Sequence, residues 1–286
     1  MSQPVTATKT ILLHITDFHF GEKPPYDYAK GPLTFDRIAE LVIECVQSFR
    51  PQSLIVAIGG DVPNKAEDYF YHDAKKFFNQ LNDAFRTCKI TYMICPGNHD
   101  LDEKAEAPFG AFNQFAFELT RNSAYLFSKD RSVVLVEQDG WSLVSVNTLY
   151  SEQRHKVMVN EDQLEAVLKS ARHPVIILQH HHLIPMYLGD QSIVQNAYRE
   201  IRLGLQYDLR LLLHGHIHSS CRLNVGIEKR SFEIVGCGAL LPSLGADYLN
   251  QFNIFELGGD VHIAVHAFEI VIDASGGRPG VKPKII

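Results

Sequence analysis

Five short apolar runs each lead into residues that can bind a metal ion, and this arrangement limits the fold more than any other feature. The runs are ILLHIT, SLIVAI, ITYMI, PVIILQ and LRLLL, and they lead into DFH, GGD, CPGNHD, HHH and HGHIH. Helical patterns lie between most of the runs, as expected for an α/β fold with buried parallel strands. Ligands of such folds bind outside the carboxyl ends of the strands. We therefore expect the five ends to converge on one site.

The order of the predicted elements changes along the chain. Apolar residues at helical spacing predict helices over residues 33–50, 67–88, 111–121, 160–172 and 192–205. After residue 219 the helices stop, and four short strands follow. We predict one domain over residues 1–286 with two sheets, in which 219–272 complete the second sheet and 273–286 form a flexible tail. A separate C-terminal β domain after about residue 220 is the alternative.

Composition excludes several classes of protein. Hydrophobic residues make up 45% of the 286 residues, which allows a sizeable core. The net charge of −6 does not suit a protein that grips long nucleic acid through its phosphates, although a small basic groove stays open. The five cysteines are irregularly spaced and include no CxxC, so a disulfide framework is not expected. Because neither a signal peptide nor an apolar run of membrane-spanning length is visible, we predict a cytoplasmic location.

The residues at the strand ends have the chemistry of a metal site. In extended chain, Asp17 faces the same way as His19, and His216 the same way as His218. Carboxylate, imidazole and carboxamide suit first-row metal ions, and the absence of cysteine argues against a zinc finger or an iron–sulfur site. Seven side chains of this kind are too many for one ion. Two ions about 3.5–4 Å apart form the usual clamp for displacement at phosphorus.

The motifs DFH, GGD, GNHD, HHH and GHIH resemble, in order, the five motifs of the calcineurin-like metallophosphoesterase family, and they span residues 17–218. The resemblance implies a four-layer fold, with two mixed β-sheets packed face to face and helices on both outer sides. It also implies two divalent or trivalent ions, drawn from Mn, Fe, Zn or Co. Seven residues would hold the pair, with Asp61 bridging: Asp17, His19 and His218 on the first ion, and Asn98, His180 and His216 on the second.

The resemblance further implies a mechanism. A hydroxide between the two ions would attack phosphorus, and His99 would contact a phosphate oxygen or protonate the leaving alkoxide. Pro96-Gly97 would make the turn that lets the backbone approach the ions, while Asp100 would hydrogen-bond within the loop or orient a neighbour. His181 is expected near the substrate, and His182 in packing.

The remaining histidines are expected to be structural. His14 lies within a strand pattern and is interpreted as a core residue, and His214 as the end of its strand. Five others belong to no motif and are expected on the surface or in packing: His72, His155, His173, His262 and His266.

The stretch after Asp61 bears on the substrate. Asn64 stands where the family's phosphoprotein phosphatases have an aspartate that pairs with the catalytic histidine, and their arginine is missing as well. GDVPN followed by Tyr69, Ala74 and Phe77 looks more like class III cyclic-nucleotide phosphodiesterases and glycerophosphodiesterases. The resemblance therefore implies a phosphodiesterase for a small substrate, either a cyclic nucleotide or a glycerophosphodiester.

Three alternatives stay open: a metal-dependent nuclease on short or single-stranded nucleic acid, a phosphomonoesterase, and a non-catalytic scaffold on the same fold. Aromatic residues between 109 and 127 could stack on bases, although packing of a helix there is the preferred interpretation. The loops 20–32 (with Tyr26 and Tyr28), 101–130 and 183–196 are expected to set specificity. We expect a small phosphate-ester partner and no membrane; the sequence does not predict an oligomeric state.

Overall fold

The first of two six-stranded sheets combines strands from both ends of the chain. The structure is a computed structural model that describes residues 9–21, 34–241, 249–258, 262–272 and 279–286. In spatial order the strands are β12 (Pro279–Lys284), β11 (Ile263–Ile272), β10 (Gln251–Leu257), β1 (Thr10–Ile15), β2 (Ser53–Ile58) and β3 (Lys89–Ile94). The strands β1, β2 and β3 run parallel, and β10 pairs antiparallel with β1. The carboxyl ends of β1, β2 and β3 therefore lie at one edge.

The second sheet is built from the middle of the chain. In spatial order its strands are β4 (Val133–Gln138), β5 (Trp141–Val146), β6 (Val175–Gln179), β7 (Leu209–His214), β9 (Arg230–Gly236) and β8 (Cys221–Ile227). The four inner strands are parallel, whereas β4 and β8 pair antiparallel at the two edges. This sheet is also mixed, and the ends of β6 and β7 lie side by side.

Five α-helices accompany the sheets in the described part of the chain: α1 (Phe35–Ser48), α2 (Tyr71–Ala84), α3 (Gly110–Thr120), α4 (Glu161–Ser170) and α5 (Ala197–Gln206). The predicted cap of α4 is confirmed, because the Asn160 side chain accepts from the Gln163 amide. The prediction that the fifth helix begins at residue 192 is wrong. The Ser192 amide and hydroxyl both donate to the Asp190 carboxylate, which holds a turn before the helix. None of these helices, within the described residues, is long and apolar enough to cross a membrane.

Alternate residues of each strand face different layers. On β1, Ile11 and Leu13 pack against α1 and α2, whereas Leu12 packs with Ile176 and Leu211 of the second sheet. A third apolar cluster lies between the second sheet and the helices α4 and α5. Each fully buried aliphatic side chain contributes about 1.5–3 kcal/mol, so these clusters hold the layers together. The predicted arrangement of two sheets packed face to face between helices is confirmed.

Two predictions about residues after 219 are wrong. Only β8 and β9 join the second sheet, whereas β10, β11 and β12 extend the first sheet beyond β1. Because β10 is buried on both faces, it needs the covered position beside β1. Residues 279–284 are not a flexible tail but the edge strand β12, where Lys282 and Lys284 pair with Glu269. This pairing argues against a separate C-terminal β domain, and the single domain over residues 1–286 stays a prediction.

Candidate metal centre

The five predicted strand ends converge, and they come from both sheets. The first sheet brings the ends of β1, β2 and β3, and the second brings those of β6 and β7. Parallel pairing of β1 and β2 continues into their loops, where the amides of Asp17 and His19 donate to the carbonyls of Gly60 and Asp61 at 3.1 Å. The Gly215 amide donates to the His180 carbonyl at 3.0 Å and joins the loops of the second sheet.

Asp17, His19 and His218 form one set of neighbouring ligand atoms. The Nε2 atom of His218 lies 3.1 Å from Asp17 Oδ1 and 3.2 Å from His19 Nε2. His19 Nε2 is 3.7 Å from the same carboxylate oxygen. These are the three residues predicted to bind the first ion.

A second set surrounds His180. Its Nε2 atom lies 3.3 Å from Asp61 Oδ2, 3.2 Å from Asn98 Oδ1 and 3.2 Å from His216 Nδ1. The same Asp61 oxygen is 3.9 Å from His19 Nε2 in the first set. One carboxylate oxygen thus lies between the two sets, as expected for a shared ligand.

The donor atoms of the second set fit a cation. His180 Nδ1 lies 2.7 Å from the Gly59 carbonyl, which can only accept, so Nδ1 carries a proton. When the ring is neutral, the lone pair of Nε2 therefore faces the oxygens of Asp61 and Asn98. Lone pairs that face one another at about 3 Å repel unless a proton or a metal ion lies between them. Oxygen and imidazole donors of this kind suit first-row divalent ions.

The buried charges of the site also require a cation. Burial opposes a charge on Asp61, but its attraction and hydrogen bond to His180 hold the pKa of the carboxyl well below its usual range. Burial also opposes a charge on His180, but the Asp61 carboxylate raises the pKa of the imidazole to about 9. Burial and the charge on His180 lower the pKa of His216 to about 3. Buried carboxylates here require a positive charge, which a metal ion would supply in place of a proton.

The backbone is strained at the predicted ligands. Five of the seven have left-handed backbone although none is glycine: Asp17 (φ 55°), His19 (51°), Asp61 (50°), His216 (70°) and His218 (50°). Such conformations cost on the order of 1–3 kcal/mol each and cluster at functional sites. The strain is consistent with backbone that is shaped to aim these side chains.

Two glycines allow the loops to approach. A Cβ atom on Gly97 would lie 2.2 Å from Asp61 Oδ1, and one on Gly215 would lie 2.1 Å from Thr16 Oγ1 and 2.5 Å from Asp17 Oδ2. Any larger residue would push the first two strand ends away from their neighbours. The structure agrees with the expectation that Pro96-Gly97 lets the backbone come close.

His99 is held by backbone atoms. Its amide donates to Asp61 Oδ1 at 2.8 Å, and its Nδ1 donates to the Asn64 carbonyl at 2.7 Å. Its ring packs edge-on against His19, with centroids 4.7 Å apart. The second ring nitrogen, Nε2, is left for the site. A backbone carbonyl therefore takes the place of the aspartate whose absence the sequence showed at Asn64.

Asp100 fixes the loop that carries Asn98 and His99. The fully buried carboxylate accepts from the amides of Gly97 and Asp61 at 2.8 Å and from the Tyr71 hydroxyl at 2.7 Å. Burial and the Asp61 charge raise its pKa to about 7, against the opposing effect of these hydrogen bonds. The predicted bond within the loop is confirmed, and a second bond orients Asp61.

The other residues of the triple histidine differ in position. His181 is buried, with one ring nitrogen within 4.8 Å of ligand atoms of His180 and His216, and its Nδ1 lies 2.7 Å from Thr148 Oγ1. Sequence analysis missed Thr148, because its only signal is its position just after β5. His182 bonds to Asp190 at 2.8 Å and stacks on His216, which fits the predicted packing role.

The remaining histidines lie outside the site. His14 is fully buried in β1, as expected for a core residue, and five histidines without a motif are exposed or half-buried: His72, His155, His173, His262 and His266.

Three aromatic residues near α3, Phe109, Phe112 and Phe127, are buried and pack this region, as the preferred interpretation predicted, so their faces are not available for stacking on bases. The loop 183–196 contains the exposed residues Ile184 and Leu188. Tyr26 and Tyr28, with all of residues 22–33, lie outside the described residues.

Two curated bacterial proteins resemble this chain. A protein of Psychrobacter sp. (strain PRwf-1), named a probable cyclic nucleotide phosphodiesterase, is 25% identical over 188 residues, which cover 64% of this chain and 52% of that protein. A protein of Psychrobacter arcticus with the same name is 23% identical over 233 residues, covering 76% of this chain and 78% of that protein. This chain thus spans about half the length of the first relative.

Two solved structures share the fold. A dimetal phosphatase from Danio rerio has a TM-score of 0.59 at 12% identity, covering 96% of this chain and 98% of that one. The protein TT1561 of Thermus thermophilus has a TM-score of 0.53 at 13% identity, covering 90% and 98%. These identities show a common fold alone. The model of the calcineurin-like phosphoesterase family matches residues 11–220, and the chain belongs to that family.

Proposed function

We propose that the protein is a two-metal phosphodiesterase that hydrolyses a small diester, either a cyclic nucleotide or a glycerophosphodiester. The observation that carries this proposal is the meeting of two ligand sets around Asp61 Oδ2, with His99 held beside them. The preference for a diester is supported by the stretch after Asp61 and by the names of the two Psychrobacter relatives. A cytoplasmic location belongs to the same proposal.

The seven ligands have defined tasks in this mechanism. Asp17, His19 and His218 would hold one ion, while Asn98, His180 and His216 would hold the other, with Asp61 shared. Bound ions of this kind polarise the phosphoryl group and make water a nucleophile near neutral pH. The two carboxylates, Asp17 and Asp61, only partly offset the charge of two divalent ions, so the site attracts an anionic phosphate ester.

His99 would act on the leaving group. Because Nδ1 is bound to the Asn64 carbonyl, Nε2 is the nitrogen that can donate to a phosphate oxygen or to the leaving alkoxide. The bond from the His99 amide to Asp61 keeps the imidazole at a fixed place relative to the shared carboxylate. His181, buried and bonded to Thr148, would add a neutral polar group at the edge of the site.

The proposal is tested by substrate preference. The Mn²⁺-loaded protein is expected to hydrolyse bis-p-nitrophenyl phosphate faster than p-nitrophenyl phosphate, and Asp61→Asn is expected to abolish both activities. Asp130→Asn, in an exposed turn, is the matched control and should keep them. A preference for the monoester would point to a phosphatase and contradict the diesterase. Absence of metal-dependent turnover of either compound would favour the non-catalytic scaffold.

A further inference from the structure

A polar pocket of about 360 Å³ opens beside the loops that hold His99. Six charged residues line it: Lys65, Glu67, Asp102, Glu103, Lys104 and Arg154. The family motifs and the seven proposed ligands include none of them. The pocket is therefore a separate part of the molecule next to the site.

The position of the pocket relates it to the leaving group. One wall begins at Lys65, directly after Asn64, whose carbonyl accepts from His99 Nδ1. The other wall begins at Leu101, directly after Asp100, which fixes the loop of His99. A general acid must reach the oxygen that it protonates. The alcohol that leaves a diester would therefore lie beside His99, and the two walls of the pocket continue directly from the residues that hold His99.

The wall of the pocket is preorganised by Arg154. Its Nη2 donates to the Leu101 carbonyl at 2.7 Å, and its amide donates to Glu103 Oε1 at 2.8 Å. The Asp102 carboxylate accepts from the Lys104 amide at 3.0 Å. These bonds set the shape of the 101–104 loop and leave other charged groups of the lining available to a ligand.

The charges of the lining indicate the class of leaving group. Three cations and three carboxylates balance, so the pocket has no net attraction for an anion. The ammonium groups of Lys65 and Lys104 form no ion pair or hydrogen bond with any described residue, and the Glu67 carboxylate is equally available. No aromatic ring is among the described lining residues, so a nucleobase would find no stacking partner. Neighbouring donors and acceptors suit hydroxyl groups, which both donate and accept.

We propose that this pocket binds the leaving alcohol of the diester and selects a small polyhydroxylated one, such as glycerol, over one that carries an aromatic ring. This inference rests on the proposed phosphodiesterase activity and chooses among its substrates. Lys65 and Lys104 would donate to the hydroxyl oxygens, and Glu67 would accept from a hydroxyl. They are specificity residues, since the bond-breaking step belongs to the metal ligands and His99.

Two symmetrical diesters test the inference, because each has the same leaving group in either orientation. Glycerophosphoglycerol presents a polyol, and bis-p-nitrophenyl phosphate presents an aromatic ring. The variant Lys65→Met with Lys104→Met is expected to lower kcat/KM at least tenfold for glycerophosphoglycerol and less than twofold for bis-p-nitrophenyl phosphate. Lys156→Met, at an exposed lysine outside the pocket, is the matched control and should change neither value.

Binding provides a second readout that does not depend on turnover. In a His99→Ala background, NMR titration of glycerophosphoglycerol should give a dissociation constant at least fivefold higher when both lysines are replaced. An equal effect on both diesters, or no effect on either, would overturn the pocket assignment while leaving the phosphodiesterase in place. If the wild-type protein hydrolyses bis-p-nitrophenyl phosphate but neither binds nor hydrolyses glycerophosphoglycerol, the polyol inference is also wrong. Failure to hydrolyse any diester would instead remove the proposed function on which the inference rests.

Discussion

The two sheets contribute different chemistry to the same site. The first sheet supplies all the proposed oxygen ligands, from Asp17, Asp61 and Asn98, whereas the second supplies three of the proposed imidazole ligands, from His180 and the loop after β7. The first sheet alone would leave buried carboxylates without a compensating charge. The second sheet alone would leave a cluster of imidazoles without a carboxylate. The site therefore depends on how the two sheets pack, and hydrogen bonds between them maintain that packing. His180 Nδ1 to the Gly59 carbonyl and the His216 amide to Asp17 are two such bonds.

Removing the shared carboxylate should break this arrangement most severely. Asp61→Asn is expected to lower kcat by more than about 100-fold, because loss of a residue that only orients a ligand already costs about 10–100-fold. Metal content by elemental analysis should fall below that of the wild type for both ions, since Asp61 Oδ2 lies between the two sets. Unchanged metal content in Asp61→Asn, with Asp130→Asn as the reference, would contradict a bridging role.

Removing His99 should separate catalysis from metal binding. His99→Ala is expected to lower kcat by about 10²–10⁴-fold for a diester with an alkyl leaving group, the usual contribution of a general acid. The loss should be smaller for p-nitrophenyl esters, whose leaving group needs little protonation. Metal content should stay at the wild-type level, and the exposed His72→Ala serves as control. Equal losses with good and poor leaving groups would argue against proton donation by His99.

A methyl group added at Gly97 should push the ends of β2 and β3 apart while every proposed ligand stays in the chain. A Cβ on Gly97 would clash with Asp61 Oδ1, whereas one on Gly110 would meet its nearest atom, Ala107 Cβ, at an ordinary 3.5 Å. Gly97→Ala is expected to lower stability by about 1–3 kcal/mol. A displacement of about 1 Å can cost 10²-fold in activity, so kcat should fall as well. Thermal melts and rates are the measurements, and Gly97→Ala melting and reacting like Gly110→Ala would refute the close approach.

The smallest effect on activity is expected for a carboxylate that lacks the imidazole partners of Asp17 and Asp61. Burial raises the pKa of Glu200, on α5, to about 8, from an ordinary 4.5. Because the folded protein binds the proton more tightly, its contribution to stability is complete below pH 4.5 and falls as the pH rises towards 8. The slope is about 1.4 kcal/mol for each pH unit.

The variant Glu200→Gln should remove this dependence. Its free energy of unfolding, measured by urea denaturation from pH 5 to 8, is expected to fall less with pH than that of the wild type. Glu106→Gln, at an exposed carboxylate, should retain the wild-type slope. Parallel curves for Glu200→Gln and the wild type would show that Glu200 is ionised in the folded protein.

The sequence predicted the strands and the convergence of their ends, since periodicity and strand-end chemistry are local properties. It did not predict which sheet each late strand joins, because that depends on burial: β10 needs cover on both faces, and only β1 provides it. The edge strand β12 was missed because its pattern, with two prolines and two lysines, is weak.

Within the site, side-chain motifs were visible but backbone partners were not. The carbonyl of Asn64 holds His99, and any residue at position 64 could offer a carbonyl. Thr148 likewise reaches His181 only because the ends of the paired strands β5 and β6 lie side by side, which no short motif records. The left-handed backbone at Asp17 and Asp61 could not be located from the sequence either, because aspartate tolerates this conformation better than most residues but adopts it only in a minority of positions.

The central claim is that two sheets together build one site for two ions, and anomalous diffraction from Mn²⁺-soaked crystals tests it most directly. Two peaks about 3.5–4 Å apart are expected. One should lie against Asp17, His19 and His218, the other against Asn98, His180 and His216, with Asp61 touching both. A single peak, or two peaks that do not share Asp61, would contradict it.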